Sequence, residues 1–548
     1  MPIPLTNGPG VYIQELANPV QPIVGVPTSV AAFYGRAPQG QVDYPFQVNS
    51  WGDYENEFGG LDSSYPLSYA VYLFFLNSGT TALVVRYNDP AVPTASAQLS
   101  ADITLDASSS GDWGTELWAE VDTTNLLDPA ANQFNLTITQ KQAGATVAQE
   151  AYPGASLNKG TPQYLPTLLA ASQLVVPAST NKWTVAPAAT PPAGVQFGLP
   201  QAAAAAAPGQ PAAGKSAAAG DTPAAPAGGQ PAAGAAAAAQ PAAAPADTTG
   251  PVPTLGDPNL KTGIYALAKA DIFNILCLPV DPATTYDPND LVNGLPAAVQ
   301  FCVEQRAMLV VDPPTAWSAI PLQFGDITGQ PALTSPSPNA AVYYPNLVLT
   351  DGTGATFKAG PCGAVAGVWA ATDSSRGVWK APAGTAAMIT GITDFTVHVD
   401  DGESGILNPL AVNGLRTRPA VGPVVWGART TVGADQAQNQ WKYLPVRRLA
   451  LYIEESLRRG TQWAVFEPND EPLWSSLRLN VTTFMQGLFA QGAFEGTTPA
   501  TAYLVQCDAN NNPQSQIDLG IVNILVGFAP LYPAEFVIIN IQQQAGQA

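Results

Sequence analysis

Histidine is all but missing: His398 is the only one in 548 residues. A metal site built on several imidazoles is therefore excluded, and any Ser–His or Cys–His nucleophile has to use that one residue. Cysteine is scarce as well. Cys277, Cys302, Cys362 and Cys507 lie far apart, form no C-x-x-C pair and each sit beside apolar residues. That pattern predicts buried free thiols in a reducing compartment, not a disulfide framework or a zinc site. Charge is thin, at 11% of the chain, against about 25% in an average globular protein. What there is leans negative, with 21 Lys+Arg against 41 Asp+Glu and a net charge of −20. Binding nucleic acid through its phosphates needs clustered Lys and Arg, so no nucleic acid is expected as a partner. No uncharged apolar run approaches the roughly 18 residues of a membrane span. Met1–Asn7 carries neither the basic nor the apolar region of a secretory signal. The expectation is a chain made and folded in the cytoplasm, with no direct membrane insertion.

Apolar residues make up 46% of the chain, enough for a sizeable core. Proline and glycine number 53 and 49, and much of that excess is local. From Gln201 to Gly250 the chain is almost wholly Ala, Pro, Gly and Gln, with Lys215, Asp221 and Asp247 as its only charges. Recurring prolines stop each alanine run, and the stretch buries too little apolar area to offset ordering. It reads as a flexible or extended linker.

Around the linker the pattern is α/β. Gly10–Glu15 alternates like a short strand, and Thr28–Tyr34 predicts a second. Ser50 with Asp53 three residues on predicts an N-cap for a short helix ending at Gly59–Gly60. Pro66–Asn77 reads as a helix closed by Gly79, with a strand over Thr81–Arg86. Residues 90–200 are rich in Thr, Ser, Asn and Asp and show short alternations such as Phe134–Thr139, the mark of a mostly-β module. After the linker come a strand over Ile272–Leu278, a helix over Ala297–Gln305 and a strand over Ala307–Val311. Val446, Leu449, Ile453 and Leu457 form one apolar helix face, with Glu454–Arg458 and Glu455–Arg459 spaced as i,i+4 pairs and Gly460 closing the helix. Another helix opens at Asp470-Glu471-Pro472 and runs through Leu488. The chain closes on a β-prone run over Phe536–Gln542. The simplest account is one α/β (α+β) core, interrupted by an inserted β module and its linker.

Motifs that promise chemistry fail on context. Gly209–Ser216 matches the phosphate-binding pattern G-x-x-x-x-G-K-S, yet that loop works only between a buried strand and a helix. Here alanine–proline repeats flank it, so it reads as a chance match. Asp400-Asp401-Gly402-Glu403, after His398, lacks calcium-loop spacing and reads as a solvated acidic loop. Asp312 at a strand end sits where α/β enzymes place catalytic groups, but nothing converges on it. There is no G-x-S-x-G elbow. An α/β hydrolytic enzyme using Asp312 or His398 is the alternative reading, and a secreted β-rich adhesin a third. Arg447, Arg448, Arg458 and Arg459 concentrate positive charge on one helix of an acidic chain. They read equally as a solvated face or as a docking strip for an acidic partner. The two strand-like termini either complete their own sheet or add to a neighbour's.

Segments at both ends resemble the sheath proteins of contractile tails, of phages and of phage-tail-like extracellular injection systems. The resemblance rests on Pro9–Glu15, Ile23–Gly35, Trp51–Leu61 with its Phe58-Gly59-Gly60-Leu61 ending, and Leu67–Val71. It continues in Val425–Thr430, Val446–Leu449, Gly460–Asn469 and Gly492–Gly496. Together these cover roughly residues 9–90 and 255–548. The resemblance implies a non-enzymatic subunit, with no cofactor, that stacks as hexameric rings around an inner tube and contracts to drive it into a target. It implies strand exchange between neighbours through Val11, Tyr12, Ile13, Gln14 and Glu15 at one end, and Phe536, Val537, Ile538, Ile539 and Ile541 at the other. Arg447, Arg448, Arg458 and Arg459 become candidates for docking on the tube. Implied partners are further copies of the chain, the tube protein, baseplate and terminal cap proteins, and sister sheath paralogues. Assembly is expected in the bacterial cytoplasm, within a phage tail or a particle later released. The division expected is an arm at 1–20, a first core part at 21–90, a surface module at 91–200 and a linker at 201–253. An α/β sheath domain then follows at 254–430 and a C-terminal core domain at 431–548.

Overall fold

The computed structural model describes residues 22–87, 93–124, 126, 133–142, 144–190, 194–199, 255–281, 294–313, 317, 336–536 and 538. It divides into two units, one of residues 1–90, 108–113 and 252–548, the other of 91–107 and 114–251. The arm residues Val11–Glu15, the end residues Val537, Ile539 and Ile541, and the whole of 200–254 lie outside the described residues.

In chain order the first unit contains β1 (Ala31–Gly35), β2 (Phe46–Val48), α1 (Trp51–Phe58), α2 (Pro66–Leu76) and β3 (Ala82–Arg86). Next come β4 (Ile275–Cys277), α3 (Leu295–Gln305), β5 (Met308–Val311), β6 (Ala340–Tyr344) and α4 (Cys362–Arg376). It continues with α5 (Asp401–Leu407), β7 (Val412–Arg418), β8 (Gly422–Val425), α6 (Leu444–Gly460) and α7 (Glu471–Ala490). The strands make one eight-stranded sheet in the order β8-β7-β6-β5-β4-β1-β3-β2. The six in the middle run parallel, and β2 and β8 run antiparallel at the edges. Parallel strands are covered on both faces, which is why β1, β3, β4, β5 and β6 are apolar almost throughout. Alternation sorts their side chains. Ala31, Phe33, Ile275, Cys277, Met308 and Val310 enter one core, while Ala32, Tyr34, Leu276, Leu278, Leu309 and Val311 enter the other.

The local signals act as the sequence predicts. Ser50 accepts the Asp53 N–H at 3.2 Å and Gly59 ends α1 at φ 90°. At the end of α2 the left-handed residue is Ser78, at φ 74°, and not Gly79. Glycine is needed at 79 for space, because a Cβ there would lie 2.4 Å from the Phe74 ring. Gly363 and Gly367 of α4 let that helix press onto α2, since Cβ atoms would meet Ala70 O at 2.1 Å and Phe74 O at 2.7 Å. Both rims of the sheet are finished off. β2 is three residues long, and the outer side of β8 already bonds to a passing segment, with Ile389 N–H donating to Pro423 O and Val425 N–H to Ala387 O.

The second unit is antiparallel. Val195–Gln196, Leu117–Asp122, Gln133–Gln142 and Ala145–Ser156 form one sheet, and Ser96–Ser100, Ile103–Ala107 and Val175–Pro177 another. Phe134, Leu136 and Ile138 are buried along one face, as their alternation requires.

Candidate assembly surface

The groups with catalytic promise are used structurally. Asp312 follows β5 and is buried, and its Oδ1 accepts the Cys362 N–H at 2.7 Å. It places negative charge on the N-terminus of α4, a stabilising arrangement. Asp400 and Glu403 form a reciprocal capping box at the start of α5. Asp401 receives Arg416 at 2.7 Å and Arg418 at 3.3 Å, which hold its carboxyl below the usual range. His398 is well exposed, with Asp394 beside it at 3.4 Å. At the crevice between β1 and β4, where the strand order reverses and doubly wound enzymes seat ligands, Arg36 Nε binds Asp281 at 2.5 Å. The four cysteines are buried and free, and burial pushes the Cys302 thiol far up. Among the described residues no three His, Cys, Asp or Glu cluster as a metal site, and no helix is long and apolar enough to cross a membrane. The phosphate-loop pattern Gly209–Ser216 lies outside the described residues.

The arginines of α6 separate into two pairs. Arg448 points inward and is 3% exposed. It donates to both Asp373 oxygens at 2.8 and 2.6 Å and to Thr28 O at 3.0 Å, and stacks 4.8 Å from the Trp369 ring. Arg447 bonds Asn339 at 3.1 Å and Glu454 at 3.4 Å, so Glu454 serves Arg447 and not Arg458. Arg458 and Arg459 stay nearer the surface and share Glu455, at 2.5 and 2.7 Å, while Arg459 adds Asp271 at 2.9 Å. Burial raises the Glu455 carboxyl, but these two guanidiniums outweigh it and hold it below the ordinary 4.5. The strip is thus not a free basic face. All four of its cations are bound to carboxylates, and Arg447 and Arg448 are also taken into the fold.

Behind α6 and α7 lies a separate pair of strands, β9 (Tyr503–Gln506) and β10 (Leu525–Phe528), joined antiparallel. Tyr503, Val505, Val526 and Phe528 pack into the core with Ile453, Val481 and Met485. By the period of two, Leu504, Gln506, Leu525 and Gly527 share the other face, and Leu504 and Leu525 are about half exposed. No third strand joins this pair among the described residues. A two-stranded sheet is marginal alone, and its outer N–H and C=O groups are a template for added strands.

After β10 the chain is held at Ala529, whose N–H donates to Ala502 O and whose O accepts the Glu495 N–H, and again at Glu535. Glu535 accepts Arg429 Nε at 2.8 Å and Nη2 at 2.5 Å. Arg429 is fully buried and also reaches Asp435 at 3.0 Å, Asn408 O at 2.7 Å and Gly433 O at 3.2 Å. Burial works against its charge, but Glu535 and Asp435 keep its proton bound above the ordinary value. Directly beyond the clamp, Phe536 and Ile538 are 76% and 82% exposed and outside any ladder. Sequence reasoning missed the clamp, although a signal existed: Glu535 is the only charged residue after Asp518. Between α6 and α7 a second bare aromatic appears. Phe466 is fully exposed and held at φ 71°, a conformation costing a non-glycine residue about 1–2 kcal/mol.

Residues 436–544, which include α6, α7, β9, β10 and Glu535, match the family model of the phage tail sheath C-terminal domain. Over that stretch the chain is similar to contractile tail sheath proteins. The tail sheath protein of Enterobacteria phage T4 is 27% identical over 155 residues, 28% of this chain and 22% of that one. That of Vibrio phage KVP40 is 25% identical over 179 residues, 32% and 25% of the two chains. The match thus spans about a quarter of these relatives' own length. Among solved structures, the contracted sheath complex of the PVC extracellular contractile injection system aligns over 98% of both chains, at TM-score 0.55 and 21% identity. The contracted helical sheath of the anti-feeding prophage gives the same score and identity over 98% of this chain and 100% of that one. These likenesses establish the mixed α/β sheath fold of the chain. The relatives matched are sheath proteins and not enzymes.

Proposed function

We propose that the chain is a structural sheath subunit of a contractile injection apparatus, stacking as hexameric rings around an inner tube and contracting to drive that tube into a target envelope. The observation that carries this reading is the open β9–β10 pair beside a tail that is clamped at Glu535 and then released with Phe536 and Ile538 bare. The pair offers an open edge, and the apolar run from Phe536 offers the residues to fill it. Residues Val11–Glu15 of one neighbour and Phe536–Ile541 of another complete the sheet. Donor and acceptor are different surfaces, so the contact is heterologous and propagates as an open helix. Contraction then slides copies past one another without breaking the woven strands.

The inner tube docks nearest Arg458 and Arg459, while Arg447 and Arg448 position the helix that carries them. Baseplate, terminal cap and sister sheath proteins are the other partners. Assembly takes place in the bacterial cytoplasm, and the product is a phage tail or an extracellular particle. The division of the core at residue 430, the assignment of 91–200 as an inserted surface module and that of 201–253 as a peripheral linker belong to the same reading.

Negative-stain microscopy of the purified protein tests it. Hollow striated cylinders are expected from the full chain, and dispersed folded subunits after deletion of Met1–Leu16. Regular cylinders from the truncated protein refute strand exchange.

A further inference from the structure

A cleft of about 880 Å³ opens where α7 ends, lined there by Gln491 and Gly492. Trp379 and Trp426 wall it, and Arg376, Lys380 and Arg416 bring three cations to it. Its two carboxylates are already engaged, Glu535 by Arg429 and Asp401 by Arg416 and Arg418. The side chain of Arg416 is 7% exposed, yet its Nε has no hydrogen-bond partner. Burial, and then the neighbouring Arg376, lower the affinity of Lys380 for its proton. In a chain of net charge −20, this is an aromatic-walled pocket whose Arg376 and Lys380 have no carboxylate partner among the described residues.

The opposite end of the same helix carries an exposed aromatic followed by acidic residues. Phe466 is fully exposed at its left-handed turn, Val465 is 63% exposed, and Glu467, Asp470 and Glu471 follow. α7 has 20 residues, and at 1.5 Å per residue it is about 30 Å long. The loop at one end cannot reach the cleft at the other within one molecule.

We propose that the Phe466–Glu467 loop of one copy docks in the Trp379–Trp426 cleft of a second copy, with Phe466 against the indoles and Glu467 facing Arg376 and Lys380. The inference rests on the sheath-subunit reading and adds to it a side-chain contact distinct from strand exchange. Loop and cleft are different surfaces, so the contact repeats head to tail and does not close on itself. A buried aromatic anchor ringed by polar contacts is the arrangement that concentrates binding energy, and opposite charges fix its register.

The test uses the full-length chain and the concentration at which it begins to polymerise, measured by sedimentation at fixed salt. Phe466→Ala, on an exposed side chain, leaves the circular dichroism spectrum unchanged and raises that concentration by about tenfold. Glu467→Lys and Lys380→Glu each raise it, and the Glu467→Lys/Lys380→Glu protein returns close to the wild-type value. The proposal is overturned if Phe466→Ala polymerises like wild type, or if the double variant is no better than the worse single one. It is also overturned if Phe466→Ala polymerises normally and loses only its binding to the inner tube protein. A wild-type chain that never polymerises overturns the sheath reading itself, and this contact with it.

Discussion

Arg448 and Asp373 show how a charged residue can belong to the inside of this protein. Both side chains are 3% exposed, and each supplies the counter-charge the other needs. Such a pair gives little net stability against an apolar replacement of both, but loss of one partner strands a buried charge at about 3–5 kcal/mol. Arg448→Met is therefore expected to lower the unfolding free energy by that amount. Chemical denaturation of the soluble subunit checks it, and Arg448→Met/Asp373→Leu should recover most of the loss. Periodicity placed Arg448 on a helix and left its direction open. Its partner lies 75 positions away, and no spacing rule within one helix can see that far. The same holds for Arg429 and Glu535, 106 positions apart. By contrast Ser50 and Asp470 were legible, because an N-cap acts on an N–H only three residues on.

Among elements, α6 couples charge to packing. Leu449 and Ile453 enter one core and Leu444 and Leu451 another, while Glu455 ties down its last turn. The folded carboxyl of Glu455 titrates below its ordinary 4.5, so the unfolded state binds the proton first as pH falls. Its contribution is complete above 4.5 and is lost as pH drops through the lower folded value. The melting temperature is expected to hold from pH 7 to 5 and then fall. In Glu455→Gln it should start lower at pH 7 and fall less steeply, as differential scanning calorimetry across that range would show. The element itself could be read from sequence, as could β1, β3, β4 and β5, because buried parallel strands are short unbroken apolar runs. β2 could not: three residues with an exposed middle carry no periodic signal. Nor could the packing of α2 on α4, where Gly363 meets Ala70 across nearly three hundred residues.

At the level of the whole molecule, the chain returns from its second unit to extend the same sheet, pairing β4 with β1 in register from Ala31↔Ile275. The composition shift at Gln201–Gly250 marks the interruption, but the strand order that bridges it is a long-range fact no local pattern encodes. If 201–250 is peripheral, as proposed, its deletion leaves cylinders of normal diameter. Failure of the shortened chain to form them would show that the stretch takes part in assembly.

The finished rims of the large sheet have a bearing on fidelity. β2 is too short, and β8 too well occupied, to seed further strands. A chain with several receptive edges would knit at random into tangles. In the proposed assembly β9–β10 is the address for the incoming arm, so every added copy meets the same instruction. Lengthening β2, or freeing β8 from Ala387–Ile389, would open a rival address and turn orderly growth into aggregation.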